Sequence, residues 1–213
     1  IGHLREILTG DMVTKACKAK GLDAEFVFVI DSADPLRKVY SFLSSEYERY
    51  IRHPLAKIPA PDENGNPSTD GRSYAQHFLE PFLEALEQID VKPRLIDNYQ
   101  SYANGEFASR IKIACEKADD IREIIERVSG RELSPDWYPY NPIGHDGSLD
   151  GVVVDGFERS YDQWTQGGKA GKRDLRKAEG KLPGRIDWPA RWGWIGVGCE
   201  PFGRDHGTEG GSY

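Results

Sequence analysis

Residues 24–30 read Ala-Glu-Phe-Val-Phe-Val-Ile, a nearly continuous apolar run of strand length that stops abruptly at Asp31. A strand with one wet face alternates apolar and polar side chains, whereas a strand buried on both faces does not. The run therefore predicts a strand covered on both sides, as in mostly parallel sheets flanked by helices. Ligands of such sheets sit just beyond the strands' carboxyl ends, which puts Asp31 and Asp34 where ligands bind. An Asp ahead of Pro35 is equally an ordinary helix cap, and both readings stand.

Helical spacing surrounds this strand. Leu4, Ile7, Leu8, Met12, Ala16 and Ala19 mark a first helix with Gly21 as its stop. Its opening residues Gly2 and His3 put free N–H groups and an imidazole at a helix N-terminus, which suits a phosphate. A second helix pair is expected from about Pro35 to Ile51, and the Pro- and Gly-rich segment 58–71 reads as a loop. Ser73 followed by Gln76 is a capping-box pattern, after which Tyr74, Phe78, Phe82, Leu86 and Ile89 share one face. Pro81 predicts a kink or break in that helix. Arg94 to Asp97 reads as a short strand, and Glu106 to Val128 as one long helix burying Ile111, Cys115, Ala118, Ile121, Ile125 and Val128. Helix and strand in alternation predict an α/β fold, a Rossmann-like doubly wound, mostly parallel sheet.

From about residue 132 to 182 the pattern changes to glycine-rich sequence, in which Val152–Val154 and Phe157–Trp164 pair as short strands. This reads as an insertion. It closes on Lys169, Lys172, Arg173, Arg176, Lys177, Lys181 and Arg185, either a solvated face or a contact for a phosphate backbone. The whole chain carries a formal charge of −7, which argues against indiscriminate nucleic-acid binding but leaves room for a local basic patch. With 213 residues, 38% hydrophobic and 30% charged, it suits one α/β domain plus an insertion. No apolar run approaches the ~20 residues of a membrane span and no signal peptide is present, so a soluble cytoplasmic protein is expected. Cys17, Cys115 and Cys199 are too scattered for a disulfide framework or a metal-ligand pair and read as buried thiols, with His53 and His77 also structural.

The last segment is the most distinctive. Asp187-Trp188-Pro189-Ala190-Arg191-Trp192 predicts a helix start, Ile195 to Cys199 a further strand, and Glu200, Gly203, Arg204, Asp205 and His206 follow at the ligand edge. Taken with Ile1-Gly2-His3, Asp31 to Lys38 and Ser73 to Phe78, these stretches resemble the class I, archaeal-type lysyl-tRNA synthetases, in order and over essentially the whole chain. The resemblance implies ATP-dependent activation of lysine to lysyl-adenylate and transfer to tRNA(Lys), with ATP as substrate and Mg²⁺ accompanying it. It matches Gly2 and His3 to the end of the HIGH signature against the ATP phosphates, His3 being the catalytic candidate, and Gly203 and Asp205 to the ribose site. Glu200, His206, Trp192, Trp188 and Asp31 become candidates for the lysine pocket, since an ammonium needs a carboxylate and its alkyl stem an aromatic wall. Trp188 and Trp192 serve core packing equally well. Lys172, Arg173, Arg176 and Lys177 are the candidate tRNA contacts.

Departures from the family pattern are expected too. The strand and histidine that precede the HIGH tail, the lysine-bearing KMSKS-type loop and the anticodon-binding domain are not in this sequence, so residues 1–131 and 183–213 are expected to form an incomplete catalytic core. Relatives carry two cysteine pairs of a zinc ribbon in the insertion; here Gly144 and Gly147 stand at the first pair and Gln166, Gly167 and Gly168 near the second, so zinc is not expected. A monomer without membrane attachment is expected. A truncated module that keeps the fold and binds nucleotide or RNA without catalysis is the alternative function.

Overall fold

The computed structural model describes residues 2–158, 161–177 and 180–195. The chain starts in helix α1 (Gly2–Ala19), crosses a turn at Gly21, whose φ of 78° suits glycine, and enters strand β1 (Val27–Ile30). After helix α2 (Tyr74–Gln88) comes strand β2 (Arg94–Asp97), parallel to β1 with Val27 opposite Arg94 and Ile30 opposite Asp97. Both strands lie where apolar patterning puts them, although β1 covers only the last four residues of its run and is half-buried along its length. The fold is α/β, and its parallel pair joined through a helical crossover is the element on which everything else is arranged.

Tertiary packing corrects several local expectations. The buried face of α1 is not the Leu4–Leu8–Met12 stripe, which is exposed, with Met12 at 62%. Ile7 and Gly10 face the sheet instead, because Gly10 has no Cβ and the Phe26 ring occupies the space one would fill. Ile7, Leu86 and Val91 then form a small core with Phe26, Phe28 and Phe82 against it. Between β1 and α2 the expected helices at Pro35–Ile51 reduce to turns and one 3₁₀ segment (Ser45–Tyr50). The segment folds back on itself: Leu36 N–H donates to His53 O at 2.9 Å and Arg52 N–H to Leu36 O at 2.8 Å, closing around Leu36, Leu43, Tyr47, Ile58 and Tyr74.

Ser73 caps α2 as its spacing predicts: its Oγ accepts from Gln76 N–H at 3.2 Å, and Gln76 Oε1 accepts from Ser73 N–H at 2.9 Å. Pro81 does not break this helix. It lies on the exposed side, and the helix runs unbroken from Tyr74, buried at one end, to Gln88, with Leu86 buried near the other. The long helix expected over 106–128 is instead two, α4 (Ala108–Glu116) and α5 (Ala118–Ser129), after a short α3 (Asn98–Ala103). Lys117 leaves the helical region at φ −113°, ψ 23°. Starting a new helix there puts Asp119 and Asp120 in its first turn, where the dipole favours them, and Val128 ends 75% exposed rather than buried.

Beyond a short β3 (Asn141–Pro142), the insertion is an antiparallel meander, β4 (Val152–Glu158), β5 (Tyr161–Gln166) and β6 (Lys169–Asp174). The β5–β6 turn is Gly167–Gly168, both at positive φ, the geometry of a tight primed hairpin. The basic run therefore begins as a strand, which its charge had concealed. β7 (Gly180–Lys181) pairs antiparallel with β3, and helix α6 (Gly184–Ile195) follows. It starts three residues before Asp187, so Pro189 sits inside it rather than in its first turn. Tyr140, Ile143, Leu175 and Leu182 from the insertion share one buried cluster with Tyr102, Phe107, Ile111 and Cys115 from α3 and α4. Among the described residues no helix is long and apolar enough to cross a membrane.

Gln166 is the hub of the insertion. Its Oε1 accepts from His145 N–H at 2.8 Å, while Nε2 donates to Asp146 Oδ1 and Asp150 O, both at 2.9 Å. The carboxamide lies where a Cβ on Gly144 would be, so glycine at 144 and glutamine at 166 require each other. Gly144→Ala and Gln166→Ala are each expected to destabilise the protein by about 1–2 kcal/mol. The double variant should lose clearly less than the sum, measured by denaturant unfolding. Additive losses would show that the two positions act independently.

Asp162 on β5 is fully buried beside Tyr138, Cys115 and Arg173. Burial pushes its carboxyl up to about 6, against the opposing pull of its own backbone amide and the Arg173 guanidinium. Burial likewise pushes the Cys115 thiol up to about 12, making it inert. Because the folded state holds the Asp162 proton more tightly than the unfolded chain, this stabilisation is fully present below about pH 4 and is lost as pH rises through about 6. Asp162→Asn, neutral throughout, should gain on the parent by about 2 kcal/mol between roughly pH 4 and 7.5 in urea unfolding. A difference that stays flat with pH would place the titration elsewhere.

Candidate active site at the carboxyl edge of the parallel strands

Both parallel strands end in groups that bond to each other. Ser32, just past β1, donates to Asp97 Oδ1 at 2.6 Å and accepts from Tyr99 N–H at 3.0 Å, while Asp97 Oδ1 also caps α3 by accepting from Gln100 N–H at 2.8 Å. The two strand ends and the start of α3 are thereby fixed as one rigid edge.

Behind that edge lies a buried ionic cluster centred on Arg191. Its Nη2 donates to Asp31 Oδ1 at 2.7 Å and also pairs with Asp187 Oδ1. Asn98 Nδ2 reaches Asp31 Oδ1 and Asp187 Oδ2, each at 3.4 Å. Tyr102 Oη donates to Asp187 Oδ2 at 2.5 Å and accepts from Leu182 N–H at 2.9 Å. Arg191 is 1% exposed and Asp187 fully buried, whereas the Asp31 side chain is 40% exposed. Burial works against the guanidinium, but Asp187 and Asp31 outweigh it and hold the group cationic above its ordinary range. Tyr102 is raised well above a normal phenol, first by burial and then by the Asp187 carboxylate, so it remains a donor. The guanidinium also lies 4.5 Å from the centroid of the Trp188 ring, within cation–π range.

A cleft of about 670 Å³ opens from the same strand end toward α2, lined by Asp31, Asp34, Tyr40, Phe42, Tyr74 and Phe78 among others. Asp34 is held by Lys181, and Arg37 stands 3.6 Å away. The structure places Asp31 and Asp34 just past the carboxyl end of β1 and gives each a cationic neighbour; no helix follows directly, so neither acts as an N-cap.

The other sequence candidates separate into three groups. Gly2 and His3 form the first turn of α1. Gly10 packs on Phe26 at the start of β1, and Lys15 Nζ donates to Asp90 O at 3.3 Å near the start of β2, so α1 runs antiparallel to the strands. The N-terminus of α1 therefore points toward the carboxyl ends of the strands. In the basic run, Arg173 donates to Ile143 O at 2.6 Å and lies over Trp164, Arg176 chelates Asp174, and Lys181 holds Asp34, while Lys172 and Lys177 are exposed. Trp192 lies on α6; its side chain, that of His3, and Glu200, Gly203, Asp205 and His206 lie outside the described residues, as does the strand expected at Ile195–Cys199 beyond Ile195 itself, which ends α6.

Sequence patterning missed Asn98, Tyr102, Asp187 and Arg191 as a unit. Asp187 and Arg191, four apart on a helix, have the spacing of an ordinary surface pair, and only the packing of α6 against α3 makes them buried. The one available signal was position, since Asn98 immediately follows a strand that ends at the ligand edge.

The family model for class I tRNA synthetases of the lysine type matches residues 1–213. A lysine–tRNA ligase of Picrophilus torridus is 41% identical over 215 residues, covering 100% of this chain and 41% of the relative. One of Methanosarcina barkeri is 40% identical over 217 residues, with 100% and 39% covered, and one of Archaeoglobus fulgidus 38% identical over 214, with 100% and 42% covered. The chain thus spans about two fifths of the length of these curated relatives. A match along every residue, on an α/β frame whose strand ends gather carboxylates and a helix N-terminus, means that this chain belongs to the class I lysine-type tRNA synthetase family.

Proposed function

We propose that this chain is part of a lysine–tRNA ligase and contributes the handling of ATP and lysine. In the first step a lysine carboxylate oxygen attacks the α-phosphorus of ATP, a new O–P bond forms, and the bond to pyrophosphate breaks. In the second a hydroxyl at the tRNA(Lys) 3′ end attacks the lysyl carbonyl and AMP leaves. The observation that carries this reading is the whole-chain family match, supported by a parallel strand pair with Asp31 at its carboxyl edge and α1 starting toward the same end.

The chemistry asks the protein for positioning and charge stabilisation rather than for a covalent intermediate. Gly2 and His3, at the N-terminus of α1, are suited to the ATP phosphates, because unpaired N–H groups and the positive dipole end favour an anion. Gly203 and Asp205 are assigned to the ribose by their place in the family pattern, and Glu200, His206, Trp192, Trp188 and Asp31 to the lysine. Mg²⁺ carried by the ATP phosphates would supply charge neutralisation there. The sheet is read as part of a doubly wound, mostly parallel one, formed by residues 1–131 and 183–213, with 132–182 as the connective insertion. Gly144, Gly147 and Gln166 supply no thiolate for zinc, and the Gln166 carboxamide joins the loop to the hairpin by hydrogen bonds instead. Lys172 and Lys177, exposed, with Arg173, which donates to Ile143 O, and Arg176, which chelates Asp174, are the residues offered to tRNA. The protein is taken to work in the cytoplasm as a monomer.

Lysine-dependent ATP–pyrophosphate exchange, assayed in the presence of tRNA(Lys), tests this directly. The complete gene product should catalyse it with lysine and not with arginine, and Asp205→Ala should reduce it by about 100-fold or more. Exchange that ignores lysine would sink the proposal, and an unaffected Asp205→Ala variant would sink the ribose assignment.

A further inference from the structure

Three neighbouring rings in the cleft at the end of β1 are open to solvent: Phe42 at 52% exposure, Phe78 at 46% and Tyr40. Lysine activation leaves them without a role. Tyr40 and Phe42 are stacked, with their planes 8° apart and their centroids 5.8 Å apart, and Phe78 meets Phe42 edge-on at 5.7 Å. Tyr74, buried, braces Phe78 at 4.8 Å between centroids. The rings therefore form a fixed row with its outer members in water. Cations rim that row: Lys38 Nζ lies 5.5 Å from the centroid of Tyr40, and the exposed Arg37 lines the cleft beside it. Asp34 is held more closely by Lys181 than by Arg37, which stands 3.6 Å away, so the Arg37 guanidinium is left largely to solvent.

Open aromatic faces, cations along the rim and the carboxylates of Asp31 and Asp34 at the inner end discriminate between ligands. Two carboxylates repel a triphosphate but not a neutral ribose, and an aliphatic chain has no use for ring planes held in register. A duplex keeps its bases stacked inside, out of reach of such rings. A single strand uses every part of the cleft: its bases stack on the rings, and its phosphates follow Arg37 and Lys38. We propose that Tyr40, Phe42 and Phe78 form a stacking platform for the unpaired 3′ end of the RNA substrate, seating its terminal bases and leading the last ribose toward the Asp31 edge. This rests on the reading of tRNA as the acceptor in the second step.

The test uses the complete gene product and tRNA(Lys) whose terminal adenine is replaced by 2-aminopurine, a base whose fluorescence falls when it stacks. Binding to the parent is expected to lower that fluorescence by about twofold or more, whereas Phe42→Ala should lose most of the decrease and weaken the Kd for tRNA(Lys) by about tenfold. Phe42→Trp, which keeps an aromatic face, should restore both. A parent that fails to bind this tRNA, or binds it without a change in fluorescence, overturns the proposal. So does a folded Phe42→Ala protein with the parental decrease and Kd, and so does one whose only defect is a raised KM for ATP, which would give the rings to the adenine of ATP instead. Should Phe42→Ala fail to fold, Tyr40→Ala is read in the same way. A parent without lysine-dependent exchange would defeat the functional reading, whereas the 2-aminopurine signal needs neither lysine nor ATP and still decides the platform.

Discussion

A guanidinium at 1% exposure is tolerable only where carboxylates replace the water it has lost, and Arg191 has two. That requirement organises the ligand edge. Asp31 must come from the end of β1, Asp187 from α6, and Asn98 and Tyr102 from α3 must turn inward to satisfy the carboxylates in their turn. A buried ion pair of this kind adds little net stability over an apolar substitute, yet removing one partner strands the other and costs about 3–5 kcal/mol. Its effect is to admit one arrangement of three elements and to penalise the others.

The insertion is secured by similar means, but nearer to water. Leu149 N–H donates to Arg52 O at 2.9 Å, His53 Nε2 lies 3.0 Å from Asp146 O, and Lys181 meets Asp34 at the rim of the cleft. Gly105 lets the Arg176 backbone approach so closely that a Cβ there would overlap it. These contacts, with the shared cluster around Tyr102 and Phe107, bring the basic meander to the same end of the sheet as Asp31 and Asp34. The charges at that end are thus largely paired with one another. That end of the sheet carries the Asp31 carboxylate, fixed by its two donors, and the aromatic-lined cleft that opens beside it.

Those parts of the fold that depend on a few neighbouring residues were legible beforehand. The Ser73–Gln76 box, the Gly21 stop and the strand at Arg94–Asp97 each follow from chemistry within one or two turns of chain. Errors arose where a longer reach decides. The exposed residues of α1 repeat at helical spacing, but they do not define its buried face: the Phe26 ring packs where Gly10 has no Cβ, on the side that also buries Ile7. The strand at Lys169–Asp174 is hidden by its charge because it is defined by pairing with β5 and not by burial. For the site, Asp31 was legible from the end of an apolar run, whereas its partner was not.

By itself, then, the sequence determined several local states: that the ends of two apolar or short runs become β1 and β2, where α2 is capped, that no thiolate stands at the insertion's knuckle positions, and to which family the ordered motifs belong. These rest on backbone preferences and short-range hydrogen bonds, which are written over a few residues. Tertiary structure alone decided that Asp31 meets Arg191 across 160 positions, that Asp187 is fully buried, and that Gln166 fills the space beside Gly144. The physical reason is desolvation: a charge or an amide becomes structurally decisive only once packing has removed its water, and no local pattern records which side chains will lose it.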